Sequence, residues 1–282
     1  LNGRTGRVVT TIFHILKQSA ATGVPFLVIE PAKKEYRALL NAPGFGGRLR
    51  VFTPGDETVS PFRMNPFEVP AGTPVGVHVD MLRSVFSVSF GMWTPLPQVL
   101  ERCLYGIYED RGWNLATGAN PRVDPASDVS MAFPTLSDLL DKVDDVVARL
   151  GYEKRVSDDI HAALHTRINS LRVGGKGRML DTARSMPMDA LVEQPAVLEL
   201  DGIGDDDDKA FLMGLIFIRL AEHRRTLGEA RELRHLLVIE EAHRLLSGAR
   251  KGVMEQEADP RGKAVETFAN ILSEIRAYGQ GV

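Results

Sequence analysis

Hydrophobic positions along the first part of the chain follow two different periods, and their succession predicts an α/β fold. Residues 10–21 place apolar side chains at helical spacing, whereas residues 24–31 form a continuous apolar run typical of a strand buried on both faces. A helical stretch at 33–40 and a strand at 49–55 follow. Helix, strand, helix and strand in this order indicate a mostly parallel sheet connected by crossover helices.

The pattern changes in the middle of the chain and then returns. Residues 75–185 contain helical stretches with only loops between them, at 75–90, 96–111, 136–150 and 156–172. Strands and helices then alternate again, at 196–202, 208–226, 235–241 and 263–278. We therefore expect residues 1–74 and 186–282 to form the two parts of a sheet core, with 75–185 as a helical subdomain inserted between them.

Composition narrows the classes of function without deciding among them. The 282 residues carry a formal net charge of −3, so any contact with nucleic acid must use a local patch rather than a globally basic surface. The only cysteine is Cys103, which excludes an internal disulfide and favours a reducing, cytoplasmic location. No apolar run reaches the roughly 18 residues that a membrane span requires.

Two adjacent acids at the end of an apolar strand are the clearest candidate for chemistry. Leu236–Ile239 are apolar, and Glu240 and Glu241 follow directly. Strand alternation would direct the two acids to opposite sides of the carboxyl edge, where open α/β sheets bind ligands. One acid of such a pair can hold Mg²⁺ while the next orients an attacking water. A strand leading into an acid-capped helix is the structural alternative.

A segment near the N-terminus partly matches a phosphate-binding loop of the form G-x-x-x-x-G-K-[ST]. Gly3 matches the first glycine, and Thr10 matches the hydroxyl that binds Mg²⁺. However, Val8 and Val9 stand where the second glycine and the lysine belong. Glycine lets the backbone approach phosphates, and the lysine ammonium offsets their charge, so both losses matter.

Several interpretations of this segment remain open. Its helix N-terminus could attract an anion through backbone N–H groups, with Arg4 or Arg7 supplying charge from another angle. Alternatively, the loop is shortened, the sequence is altered there, or the match is a coincidence. If the match is real, the residues that contact the nucleotide include Gly3, Thr5, Gly6, Thr10 and Thr11.

Four segments, in this order, resemble the HerA/FtsK-type P-loop ATPases, and the resemblance extends over nearly the whole chain. The segments are 23–40 (GVPFLVIEPAKKEYRALL), 64–70 (MNPFEVP), 236–246 (LLVIEEAHRLL) and 273–282 (SEIRAYGQGV). They are similar to that group's second strand, its Asn-Pro-Phe segment, its Walker B strand and the helix before its sensor strand. The resemblance implies a RecA-like P-loop NTPase fold with a mostly parallel sheet and an inserted helical subdomain.

The same resemblance implies a function and a fragment. Members form hexameric rings that hydrolyse ATP with Mg²⁺ to move along or unwind double-stranded DNA, often with a nuclease or another effector, including in antiviral defence. The chain would lack the first strand of the core and everything from the sensor strand onward. The departure at Val8 and Val9 leaves hydrolysis open. A non-hydrolysing ring scaffold and a VirB4-type conjugation or secretion ATPase are therefore the alternatives to an active DNA helicase or translocase.

The resemblance also assigns roles to individual residues. Thr10 and Glu240 would hold Mg²⁺, Glu241 would activate water, and Arg276 would reach a nucleotide, including that of a neighbouring subunit. Glu30 would face the site from the sheet edge. Separately, the glycine-rich basic segment 172–180 is either a loop that faces DNA or a simple turn. The basic residues Lys33, Lys34 and Arg37 indicate a solvated surface cluster more than a phosphate site.

Overall fold

The computed structural model describes residues 2–124, 128–242, 266 and 269–282, with the backbone alone described for 2–9. The α-helices are α1 (Asn2–Ala21), α2 (Val75–Phe90), α3 (Leu96–Asp110), α4 (Leu136–Val147), α5 (Lys154–Ser170), α6 (Gly174–Leu180), α7 (Asp189–Val192) and α8 (Asp206–Thr226). The strands are β1 (Phe26–Glu30), β2 (Arg50–Phe52), β3 (Ala196–Glu199), β4 (Ala230–Ile239) and β5 (Tyr278–Gly281). Short 3₁₀ helices cover Glu35–Asn41, Val129–Ala132 and Ile275–Ala277. Among the described helices, none is long and apolar enough to cross a membrane.

The five strands form one parallel sheet in the order β2-β3-β1-β4-β5, which confirms the predicted α/β fold. The central strand β1 is buried on both faces because helices cover both sides of the sheet. Its side chains alternate between two cores, as the period of a strand requires. Leu27 and Ile29 join the large core with the helical region, while Phe26 and Val28 join a smaller core beneath α1.

The helical stretches predicted between 75 and 185 are confirmed as α2 to α5, within a few residues at each end. They do not have a separate core from the sheet. The large core runs continuously from β1 and β3 through α8 to α2, α3, α4 and α5. Phe86 of α2 meets Phe211 of α8 with ring centroids 4.7 Å apart. The division at residues 74 and 185 therefore stays a prediction about sequence organisation.

The glycine-rich segment 172–180 was expected to be a loop that faces DNA or a simple turn, but most of it is helical. Residues 174–180 form α6, which packs against the turn at Pro54 and Gly55. A Cβ on Gly175 would lie 2.0 Å from the carbonyl oxygen of Gly55, so this glycine permits backbone contact within the fold. Lys176 pairs with the buried Asp208 of α8. The interpretation as a DNA-facing loop is not supported by these contacts.

The end of the described chain differs from its predicted structure. Within the helix predicted at 263–278, residues 269–274 are helical, but Ile275–Ala277 are a 3₁₀ turn and β5 begins at Tyr278. Gly279 adopts φ 78°, which interrupts a helix, and it allows close approach to β4, where a Cβ would meet the Glu232 carbonyl at 2.6 Å. β4 begins at Ala230, five residues before the predicted start. The sequence did not indicate its first half because those residues are charged and exposed and lack an apolar pattern.

Candidate functional site

Three neighbouring parallel strands end at glutamates on the same level of the sheet. Glu30 ends β1 and lies in register with Glu199, which ends β3. Ile29 pairs with Ile239 of β4, so Glu240, the next residue, follows β4 at the level of Glu30. Ligands of open parallel sheets bind at this carboxyl edge. The row of carboxylates therefore lies where a site is expected in this fold.

Two of these glutamates are held by consecutive residues of the 3₁₀ helix after β1. The backbone N–H of Glu35 donates to Glu30 Oε1 at 2.8 Å. The hydroxyl of Tyr36 donates to Glu240 Oε1. Both residues lie in the segment 23–40 that resembles the HerA/FtsK group, but the sequence indicates no contact for either. The contact of Tyr36 joins positions 204 residues apart, and no local pattern could have indicated it.

The third glutamate has a charged partner from the same 3₁₀ helix. The guanidinium of Arg37 binds both oxygens of the fully buried Glu199, at 2.7 and 2.8 Å. Lys34 pairs with Asp201 at 2.8 Å. The sequence indicated that Lys33, Lys34 and Arg37 form a solvated surface cluster, but Lys34 and Arg37 form ion pairs with carboxylates at the sheet edge. Both ion pairs lock the segment after β1 onto the end of β3.

A small pocket of about 110 Å³ opens beside Glu30 and Glu240. Lys33, which pairs with Glu35 at 3.0 Å, stands on its wall. Glu30 is 3% exposed, and its Oε2 atom is buried with no hydrogen-bond partner among the described residues. The pocket is lined by Glu30, Pro31, Ala32, Lys33, Glu35, Glu240 and Glu241. A polar ligand entering it would meet that unsatisfied oxygen.

Burial changes the protonation of two groups at this edge. It raises the pKa of the Glu30 carboxyl, against the lowering effect of the backbone N–H groups of Glu35 and Tyr36. The pKa of the Tyr36 phenol is raised first by burial and then by its contact with Glu240. Tyr36 is therefore a hydrogen-bond donor at any physiological pH, and the protonated form of Glu30 is favoured relative to that of an exposed glutamate.

Strand alternation predicted Glu240 and Glu241 on opposite sides of the sheet edge, and this prediction is wrong. β4 ends at Ile239, and both acids belong to the turn that follows. Glu241 has φ 48°, the left-handed conformation, which redirects its side chain. Both acids consequently line the same pocket as Glu30. A non-glycine residue in this conformation is uncommon, and such residues concentrate at functional sites.

The predicted phosphate-binding segment lies in a helix in this structure. Gly3, Thr5 and Gly6 fall within the first turns of α1, which begins at Asn2. A helix leaves only its first four backbone N–H groups, here those of residues 2–5, without an intrahelical partner, so the N–H groups from Gly6 onward are not available to phosphate. Thr10 and Thr11 are exposed on α1, and neither lines the pocket. Their assignment to nucleotide binding stays a prediction.

α1 nevertheless approaches the acidic site. Leu16 and Ala20 pack in the smaller core with residues of β1. One turn after Thr10, Phe13 stacks on Tyr36 with ring centroids 5.3 Å apart. Since Tyr36 also contacts Glu240, the first half of α1 lies towards the carboxyl edge. The structure thus connects α1 to Glu240 through Phe13 and Tyr36, whereas Thr10 and Thr11 do not line the pocket.

Arg276 is not brought to the pocket within one chain. It is exposed in the 3₁₀ turn just before β5, whose first residue pairs with Ala230 at the start of β4. The acids follow the other end of β4. Three residues of β5, from Tyr278 to Gly281, and three of β4, from its partner Leu236 to Ile239, separate the two ends, which corresponds to about 20 Å along the strands. A role for Arg276 at the nucleotide of a neighbouring subunit stays a prediction.

The carboxylates suit a nucleotide-bound magnesium ion better than a free one. Across residues 2–124, 128–242, 266 and 269–282, no three histidine, cysteine, aspartate or glutamate side chains are grouped closely enough to hold a metal. Mg²⁺ beside a nucleotide commonly takes only one or two protein carboxylates, with phosphate and water oxygens completing its shell. Glu240 and Glu241 at one pocket supply oxygen donors of this kind.

Comparison with known proteins identifies solved structures that share this fold. No protein-family model and no curated protein matches the sequence. The structure is similar to that of VirB4 of Thermoanaerobacter pseudethanolicus, with a TM-score of 0.62 and 18% identity over 96% of this chain and 91% of that one. It is also similar to the plasmid coupling protein TrwB, solved with the ATP analogue ADPNP, with a TM-score of 0.51 and 13% identity.

These similarities show the fold and do not identify the member of the group. The match to TrwB covers 94% of this chain but only 57% of the length of TrwB. The RecA-like α/β fold that the sequence predicted is confirmed by the similarity to VirB4. The assignment to HerA in particular is not confirmed.

Proposed function

We propose that this chain is the nucleotide-binding core of an ATP-driven motor related to the HerA, FtsK and VirB4 types. The observation that carries the proposal is the pocket where Glu30, Glu240 and Glu241 meet at the carboxyl edge of a RecA-like sheet. Nucleotides bind at this edge in open α/β folds. The ATP analogue in the TrwB complex supports the same ligand class for a chain that shares the fold.

The side chains at the pocket would divide the work of ATP hydrolysis. Magnesium bound with the nucleotide supplies charge neutralisation at the phosphates. Glu240 and Thr10 would hold that ion, and Glu241 would orient the attacking water. Glu30, which lines the pocket, would contact bound nucleotide or water.

The larger assembly in this proposal is a homo-hexameric ring that moves or unwinds double-stranded DNA in the cytoplasm. A net charge of −3 means that DNA would be held by a local basic surface, such as one facing the ring centre. A nuclease or other effector acting on the same DNA, in antiviral defence for example, is the partner that the resemblance suggests. These points extend beyond the fold and rest on the proposal alone.

Two further functions each have an observation in their favour. Val8 and Val9, together with the helix that begins at Asn2, favour a ring scaffold that binds nucleotide weakly or does not hydrolyse it. The similarity to VirB4, which covers 96% of this chain, favours a conjugation or secretion ATPase. Hydrolysis separates the scaffold from both motors, and stimulation of hydrolysis by double-stranded DNA favours the DNA translocase over a protein-secretion motor.

The test is to measure ATP binding and Mg²⁺-dependent hydrolysis by the full-length protein and its variants. Glu241→Gln keeps the shape of the side chain but cannot accept a proton, so we expect hydrolysis to fall about a hundredfold or more. Glu274→Gln, on the surface and paired with Arg225, is the matched control and should retain the full rate. Unchanged hydrolysis in Glu241→Gln would remove Glu241 from the reaction.

A second pair of variants separates the motor from the scaffold. Val8→Gly with Val9→Lys restores the residues of a phosphate-binding loop. Hydrolysis by the unmodified protein supports the motor. Hydrolysis only after this restoration supports the scaffold on a RecA-like core. Absence of nucleotide binding in both proteins rejects the proposal.

A further inference from the structure

The aromatic side chain of Tyr36 connects α1 to the acidic pocket. Its ring is 1% exposed and belongs to the smaller core, where it stacks on Phe13 at 5.3 Å with a 29° angle between the ring planes. Its hydroxyl leaves that core at the carboxyl edge and donates to Glu240. One residue thus has a fixed apolar end on α1 and a polar end on the acid that follows β4.

The contacts of the two neighbouring residues hold the backbone at Tyr36 in place. The preceding residue, Glu35, donates its backbone N–H to Glu30, and the following residue, Arg37, binds Glu199 through two hydrogen bonds. Both contacts anchor the 3₁₀ helix to the ends of strands that flank the site. These contacts fix the backbone at Tyr36, so the place of its hydroxyl depends on the side chain, whose ring packs on Phe13 of α1.

We propose that Tyr36 is a positioning residue that holds the Glu240 carboxylate and makes its orientation depend on the place of α1. This inference rests on the proposed function, in which Glu240 holds the metal of a bound nucleotide. One oxygen of Glu240 is engaged by the phenol, which leaves the other to face a cation. A shift of α1 would move Phe13, then the Tyr36 ring and then the hydroxyl.

This geometry gives the candidate nucleotide segment a route to the acid that does not need direct contact. Thr10 and Thr11 precede Phe13 by three and two positions on the same helix. Neither lines the pocket, yet both belong to the rigid element on which Tyr36 rests. If a ligand displaces the first turns of α1, that displacement would therefore be transmitted to Glu240 through two aromatic rings and one hydrogen bond.

The contact itself is tested without any activity, by a double-mutant cycle in urea unfolding. The variants are Tyr36→Phe, which keeps the ring and removes the hydroxyl, Glu240→Ala, and the combination of both. We expect the unfolding equilibrium constants to depart from additivity by about fivefold. The control cycle combines Tyr36→Phe with Glu274→Ala, at an exposed glutamate, and its effects should be additive. Additivity in the first cycle would overturn the contact.

The positioning role is tested by steady-state kinetics of the same Tyr36→Phe variant in whichever protein hydrolyses ATP. We expect kcat to fall about tenfold and the Mg²⁺ requirement to rise, with the KM for ATP nearly unchanged, because only the orientation of Glu240 is altered. Tyr152→Phe, an exposed tyrosine between α4 and α5, should change neither value. A change in KM alone would overturn the positioning role.

Failure of the two proposals can be told apart. If neither the unmodified protein nor the variant with a restored loop hydrolyses ATP, the proposed function fails, and a role for Tyr36 in that reaction fails with it. The unfolding cycle still reports whether Tyr36 and Glu240 interact. If hydrolysis is present and Tyr36→Phe matches Tyr152→Phe in kcat and Mg²⁺ requirement, only the inference about Tyr36 is rejected.

Discussion

At the scale of single residues, the fold buries a polar cluster beneath the sheet, at the end opposite the acidic pocket. His235 of β4 is fully buried, and its Nδ1 lies 3.0 Å from Gln280 Oε1 on β5. Arg224 of α8 donates to that same oxygen at 3.1 Å. An acceptor shared in this way requires a proton on Nδ1, and burial lowers the pKa of His235 to about 3.

The lowered pKa of His235 predicts a loss of stability in mild acid. The unfolded chain takes up a proton near the ordinary histidine pKa of 6.5, whereas the folded chain does not until about 3. Stability is therefore complete above pH 6.5 and falls as the pH falls, by about 2 kcal/mol at pH 5. We expect His235→Asn to reduce the change in the free energy of urea unfolding between pH 7 and pH 5. Equal slopes for wild type and His235→Asn would contradict the assignment.

The residues of the candidate site differ in how far the sequence could predict them. Glu240 and Glu241 could be found because an apolar run followed by acids is a local pattern. Their common orientation could not, because it depends on the left-handed turn at Glu241. The pairing of Arg37 with Glu199 spans 162 positions and depends on strand order, which one-dimensional periodicity does not contain.

At the scale of secondary-structure elements, glycine decides whether α6 can pack. Gly175 lies against the turn at Gly55 with no room for a methyl group, and Gly177 is as close to the carbonyl of Arg172. The sequence showed these glycines only as a flexible basic stretch. Because Gly175 is required by contact with a turn 120 positions away, the local sequence does not indicate the helix.

We predict that Gly175→Ala destabilises the protein by at least about 2 kcal/mol, because the new Cβ would overlap a backbone oxygen that cannot move aside alone. Gly76→Ala is the matched control, since nothing lies within 4 Å of a Cβ at that position in α2. That change should stabilise by about 0.5 kcal/mol through helix propensity. Chemical unfolding of both variants gives the comparison. Similar free energies for the two would show that α6 does not touch the Gly55 turn.

At the scale of the whole molecule, the helical region and the sheet behave as one packed body. The sequence predicted α2 to α5 and most strands of the sheet, because each of these elements has its own period. It could not show that their apolar faces meet, since burial against a distant element leaves no local mark. His78 of α2 and Glu222 of α8, both fully buried, join at 2.6 Å across this boundary.

One packed body predicts one cooperative unfolding transition. Both tryptophans, Trp93 and Trp113, lie in the helical region, so their fluorescence reports that region alone, whereas far-ultraviolet circular dichroism reports all helices and strands. We expect the two signals to give the same urea midpoint, since the large core is continuous from β1 to α5.

A change at the boundary should shift both signals together. Glu222→Leu leaves His78 Nδ1 without its partner in an apolar core, and we expect a loss of about 3 kcal/mol. Glu101→Leu, which breaks the half-buried pair with Arg83 near the surface, is the control and should cost less than about 1 kcal/mol. A fluorescence midpoint that falls while the circular dichroism midpoint stays would instead make residues 75–185 an independent folding unit, as the predicted domain boundaries suggest.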